Sequence, residues 1–295
     1  MSASGFVPVQ GGKIYYEVEG DGHPLLLIHG GLGSLRMWDE QVPAFSERYR
    51  VIRYDTRGFG RTETEDVEFS NRADALAVLD HVGAASAFVI GQSRGGMIAL
   101  DLAIEHPERV DALVSVASGI GGYKAELPAG TPTLPGEEME RAYNAKEWER
   151  LSDLETEVWV DGLGQPKTRV DPALRRKVHD WILDTYREEK IEGRTRPLDP
   201  PAAQRLAEVR VPTLVMIGTV DEPGGVAAGK HLARTVAGAR LVEFPEVAHM
   251  IQLEEPVRFN TLVLEFLSKI RPEDDYGRKR EIASRSASSS KGLAR

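Results

Sequence analysis

The chain has 295 residues, 41% of them hydrophobic and 28% charged, which suits a soluble globular protein with one large α/β domain or two small ones. A net charge of −9 argues against a nucleic-acid partner, because phosphate binding needs concentrated basic surface. The absence of cysteine excludes disulfides, thiolate nucleophiles and cysteine-held metals, and no run approaches the ~18 apolar residues of a membrane helix.

The opening MSASGFVPVQGG has neither a basic start nor an apolar core, so no secretory signal and no membrane partner are expected, and a cytoplasmic location is. Two strands are predicted over 6–9 and 13–19, around the turn residues Gly11 and Gly12. The run from Leu25 to Ile28 is continuously apolar and ends in glycines, the pattern of a strand buried on both faces. Residues 35–49 carry helical spacing and 49–55 return to a strand. A helix over 71–81 follows, with Ala75, Leu76, Val78 and Leu79 on one side. Then come a strand over 87–93, a helix over 95–105 and a strand over 111–118.

The alternation stops over 121–207. Its opening is rich in Pro and Gly, and charged helical segments over 137–154 and 172–189 follow with no buried strand evident. The rhythm resumes with a strand over 213–218, a helix over 230–236, a strand over 239–244 and a closing helix over 255–270. Strands alternating with helices predict a mostly parallel sheet covered on both faces. The core is therefore expected over 1–120 and 208–270, with 121–207 as a helical cap over the C-terminal edge of the sheet. Residues 271–295, with seven Lys/Arg against four Asp/Glu and the stretch SASSS, are expected to be a disordered basic tail.

The sharpest motif is Gly91-Gln92-Ser93-Arg94-Gly95, set between an apolar strand and a helix. G-x-S-x-G in that context is a nucleophile elbow: the glycines let backbone pass close by in a cramped turn, and Ser93 is exposed at a helix N-terminus. A serine needs a base, itself held by a third group. In elbows of this kind the acid and then the histidine follow the serine. Asp221 comes just after the strand 213–218, and His249 just after the strand 239–244 and before the last helix, so both should open on the side of Ser93. Glu222 is the alternative acid. His81, His106, His179, His231 and His23 read as structural. His29-Gly30-Gly31 ends the third strand, and its loop should supply one oxyanion-hole N–H, from Gly31 or alternatively Leu32; Arg94 should supply the other. His29 should prop this loop. Arg94 places a cation at a helix N-terminus, against the dipole, and a carboxylate partner is expected for it.

HGG, Tyr54–Thr62 (YDTRGFGRT), GQSRGG over 91–96, GTVDEPG over 218–224 and VAHM over 247–250 together resemble the α/β-hydrolase superfamily, over about residues 5–270. The branch it is similar to holds cap-bearing carboxylesterases, lactonases and C–C bond hydrolases. The resemblance implies a mostly parallel eight-stranded sheet and acyl transfer from a small ester, lactone or related carbonyl substrate, without metal or organic cofactor. Ser93 counts against dehalogenases and soluble epoxide hydrolases, which carry aspartate at the elbow, and GQSRGG departs from the GGSWGG of proline iminopeptidases. Leu32, Trp38, Trp159 and Met250 are candidate walls of the substrate pocket. A cofactor-free oxygenase or perhydrolase on the same triad, and a slow or inert small-molecule receptor, are the rival readings. Oligomeric state and substrate identity are not written in the sequence.

Overall fold

The computed structural model describes residues 2–271. In chain order these form β1 (Ser2–Val9), β2 (Gly12–Glu19), β3 (His23–Ile28), α1 (Val42–Ser46), β4 (Tyr49–Tyr54), the two-residue strands β5 (Glu63–Thr64) and β6 (Glu68–Phe69), α2 (Asn71–His81), β7 (Ala87–Gln92), α3 (Arg94–Glu105) and β8 (Val110–Val116). An inserted segment carries α4 (Gly136–Asn144), α5 (Trp148–Thr156), one π-helical turn (Glu157–Asp161), α6 (Pro172–Arg187) and β9 (Arg194–Thr195). The chain then returns with β10 (Thr213–Gly218), α7 (Pro223–Thr235), β11 (Arg240–Phe244), α8 (Ile251–Glu254) and α9 (Pro256–Leu267).

Eight strands lie in the order β1-β2-β4-β3-β7-β8-β10-β11, and β5 pairs with β2 as a ninth. The pairs β1–β2 and β2–β4 are antiparallel; from β4 to β11 every neighbour is parallel. This is the expected mostly parallel sheet, with the short β5 added. Every residue of β7, β8 and β10 is buried, which is why these strands read as mostly apolar rather than alternating. The pleat sorts their side chains into two layers. Leu26, Ile28 and Val89 pack with α2, α3 and α7, whereas Leu25, Leu27, Phe88 and Ile90 pack with Phe45, Phe259 and Val263 of α1 and α9.

Several element bounds differ from expectation for local reasons. Residues 35–49 hold a 3-10 turn, Leu35–Trp38, and the short α1 rather than one helix; Pro43 has no N–H with which to continue the first turn. The helix predicted from 230 begins at Pro223, because the Glu222 carboxylate caps it and proline fits its first turn. Pro256 likewise separates α8 from α9. The 137–154 stretch divides at Lys146, which takes a left-handed φ of 55°.

The inserted segment has a small apolar cluster of its own. Val160, Val170, Val178 and Ile182 pack on Met250 and Leu253, with Leu32 against the same cluster. The segment thus sits over the loops that follow β3 and β11, at the C-terminal ends of the parallel strands. β9 pairs in parallel with β6 and ties the end of the segment to the loop before α2. Among the described residues no helix is long and apolar enough to cross a membrane. The expected basic tail lies, apart from Arg271, outside the described residues.

Candidate active site

Ser93 joins β7 directly to α3 with φ 53° and ψ −119°. A non-glycine residue in that region stores about 1–3 kcal/mol of strain and persists only where its surroundings hold it. Here Ser93 N–H donates to the Val116 carbonyl at 2.9 Å, and the Ser93 carbonyl accepts the N–H groups of Gly96 and Met97 to start α3. The flanking glycines are sterically required: a Cβ on Gly91 would collide with the Gly95 carbonyl, and one on Gly95 with the Ile28 carbonyl.

Asp221 follows β10 and His249 follows β11. The Asp221 carboxylate clasps Nδ1 of His249 with its two oxygens at 2.9 and 3.1 Å, and both residues are buried. The Glu222 N–H donates to the same carboxylate at 2.7 Å. The Glu222 side chain accepts the Gly224 and Gly225 N–H groups at 2.8 and 2.7 Å and is spent on capping α7, so Asp221 alone is placed to orient the imidazole. Ser93, His249 and Asp221 line one cavity of about 420 Å³; no hydrogen bond joins Ser93 to His249, a separation usual before substrate is bound.

The loop after β3 is set by His29. Its Nε2 accepts the Thr56 N–H at 2.9 Å, so Nδ1 carries the proton and donates to the Gly30 carbonyl at 2.6 Å. Burial, aided by the Arg94 charge, lowers the His29 pKa to about 3, which keeps the ring neutral. Among the described residues the backbone N–H groups of Gly31, Leu32 and Arg94 donate to no protein acceptor, as an oxyanion hole requires.

An α/β-hydrolase fold family model matches residues 23–151. The 2-hydroxy-6-oxononadienedioate/2-hydroxy-6-oxononatrienedioate hydrolase of Burkholderia vietnamiensis is 30% identical over 87% of this chain and 91% of that protein. The 2-hydroxymuconate semialdehyde hydrolase of a Pseudomonas species is 31% identical over 85% of this chain and 88% of its own. The chain belongs to the α/β-hydrolase fold family. A solved N-acyl homoserine lactone degrading enzyme is similar in structure, with a TM-score of 0.70 and 27% identity over 89% of this chain and 100% of that one.

In this α/β-hydrolase the cavity walls differ from those expected. Trp159 lines the cavity and lies on the His249 ring, centroids 4.6 Å apart. Trp38 does not line it. Its turn buries Leu35, Met37 and Trp38 beneath the sheet, where Trp38 packs on Phe259. Met250 is fully buried in the apolar cluster of the inserted segment, and Leu32 leans on that cluster. Met97, Ile120 and Tyr123 form walls instead. Met97 was within reach of sequence reasoning, being four residues, about one helical turn, beyond the serine. Tyr123 had no such signal.

The other histidines are occupied elsewhere. His23 pairs with Asp111, His231 stacks on Tyr123, His81 packs on Tyr16, and His106 and His179 lie beside surface carboxylates. Among the described residues no cluster of three or more His, Asp or Glu side chains is placed to hold a metal ion. Arg94 lacks the expected carboxylate. No described carboxylate lies within ion-pair distance of it; its Nη1 donates to Thr56 Oγ1 at 2.8 Å and its guanidinium lies over the Phe59 ring.

Four supporting residues escaped the sequence. Gln92 donates from Nε2 to the His249 carbonyl at 3.2 Å, linking the elbow to the histidine loop. Glu155, its carboxyl pushed up by burial, accepts from Trp159 Nε1 and from Tyr186 Oη at 3.0 Å, and so holds Trp159 on the imidazole. Arg169 donates to Glu254 at 2.5 Å and to the carbonyls of Val160, Asp161 and Glu246, while Glu254 accepts the Ala248 N–H at 3.0 Å. This network clamps the inserted segment to the loop that carries His249.

Proposed function

We propose that this hydrolase cleaves a small ester, lactone or related carbonyl substrate through an acyl-enzyme on Ser93, with the inserted segment 121–207 acting as a cap. The Asp221 clasp on His249 Nδ1 carries the reading, because it fixes the tautomer that leaves Nε2 unprotonated and available as a base. His249 takes the Ser93 proton as Oγ adds to the carbonyl carbon. The N–H groups of Arg94 and of Gly31 or Leu32 hold the oxyanion. The imidazolium, stabilised by Asp221, returns its proton to the leaving group as the bond to carbon breaks. A water, deprotonated by the same base, then releases the acyl group and regenerates Ser93. Relatives whose names describe hydrolases and a lactone-degrading enzyme support this class of chemistry.

The test is hydrolysis of 4-nitrophenyl acetate. Turnover that falls by about 10⁴-fold or more in Ser93→Ala is expected. Hydrolysis left intact by Ser93→Ala overturns the site assignment, and one equivalent of 4-nitrophenol without turnover favours a receptor.

A further inference from the structure

The mechanism above uses Arg94 only through its backbone. Its side chain is a half-buried cation whose one polar contact among the described residues is the 2.8 Å bond to Thr56 Oγ1, where a guanidinium has five N–H donors. Three other arginines of the fold face a carboxylate: Arg57 meets Asp74, Arg169 meets Glu254 and Arg175 meets Asp161. Among the described residues the exposed Glu192 acts on Arg94 from beyond ion-pair distance, and burial lowers the guanidinium's affinity for its proton. Partial burial of such a charge without a counter-ion is unfavourable, and a bound anion relieves it.

The position says which part of a substrate would meet it. Arg94 and Met97 line the catalytic cavity and also an adjoining cavity of about 280 Å³. The second cavity, which Asn71, Arg72, Asp101 and Leu198 also line, contains none of Asp221, His249 or Trp159. Since His249 must protonate the leaving group, the leaving group lies on its side of Ser93. The acyl part is directed the other way, to the wall that Arg94 and Met97 share. Asp101, the carboxylate of that second cavity, faces Arg72 at 3.8 Å and does not reach Arg94.

Resting on the acyl-enzyme reading, we propose that Arg94 binds a carboxylate on the acyl half of the substrate. The favoured substrates are then esters, lactones or ketones whose acyl product is a dicarboxylic acid. The guanidinium acts as a specificity residue: its free N–H groups meet the carboxylate in the paired geometry that arginine offers and lysine does not.

The experiment compares kcat/KM for the 4-nitrophenyl half-ester of adipic acid with that for 4-nitrophenyl hexanoate, after subtraction of the spontaneous rates. The wild-type enzyme should prefer the half-ester by tenfold or more. Arg94→Gln should bring the ratio to about one through a raised KM for the half-ester, and Arg94→Lys should fall between. Reading the ratio within each variant cancels any loss common to both substrates. In the wild type alone, adipate should inhibit hexanoate ester hydrolysis competitively where hexanoate does not, which keeps the test sound should Arg94→Gln misfold. A wild-type ratio near one, or a preference that survives Arg94→Gln, overturns the role of Arg94 while Ser93-dependent turnover still stands. Hydrolysis of both esters by Ser93→Ala would instead remove the acyl-enzyme reading, and this proposal with it.

Discussion

The floor and the roof of the active site are held by different physics. The floor is the sheet edge, where β7, β8 and β10 are buried throughout and strained turns such as Ser93 are fixed by backbone packing. The roof is the inserted segment. Its helices α4, α5 and α6 are largely exposed on one side, and it grips the floor through a few polar clamps, chiefly Arg169 on Glu254, and through one small apolar cluster. Burial of continuous apolar surface is stabilising wherever it occurs, whereas a buried ion pair depends on both partners being present. Ser93, Asp221 and His249 therefore belong to the floor, and the roof contributes Trp159 over His249.

The contrast can be broken most forcefully at Arg169. Its side chain and that of Glu254 are only 11% and 8% exposed, so Arg169→Met strands a buried carboxylate. Unfolding in urea should show a loss of about 3–5 kcal/mol, partly restored in Arg169→Met/Glu254→Gln. Lys146→Met breaks a pair whose side chains are 64% and 48% exposed and should cost under about 1 kcal/mol. Equal losses in the two single variants would show that the roof is not anchored at Arg169. On the floor the sensitive point is His29. Its folded pKa, about 3, lies below the 6.5 of the unfolded chain, so the unfolded chain takes up the proton first. Stability is then lost as pH falls from about 6.5 toward 3. Between pH 7 and pH 4 the wild type should lose roughly 3 kcal/mol more than His29→Gln, which cannot titrate. Parallel pH curves for the two proteins would contradict the buried neutral ring.

The same division explains how much could be read in advance. Residues 71–81 and 213–218 are predicted to the residue, and the triad follows from the order of motifs at strand ends, because apolar periodicity and glycine-flanked turns are local signals. Trp38 faces Phe259 rather than the cavity, and nothing local in the sequence says which face of the sheet the turn 35–38 presents. Arg169 reaches Glu254, Glu155 reaches Tyr186 and Gln92 reaches the His249 carbonyl across 85, 31 and 157 residues, and no spacing rule reaches that far. The Glu155–Trp159 contact, by contrast, spans the four residues of a helical turn. The expectation for Arg94 failed in the opposite sense. A cation at a helix N-terminus predicts a carboxylate, and none of the described residues supplies one within ion-pair distance.

The most direct test of the triad is labelling of the folded protein with a fluorophosphonate, followed by mass spectrometry to locate the adduct. An adduct on Ser93 that disappears in His249→Ala is the expected result, since only an activated serine reacts at a useful rate. A folded protein that takes no label, or takes it equally well without His249, would contradict the assignment of Ser93, His249 and Asp221 as a working catalytic unit.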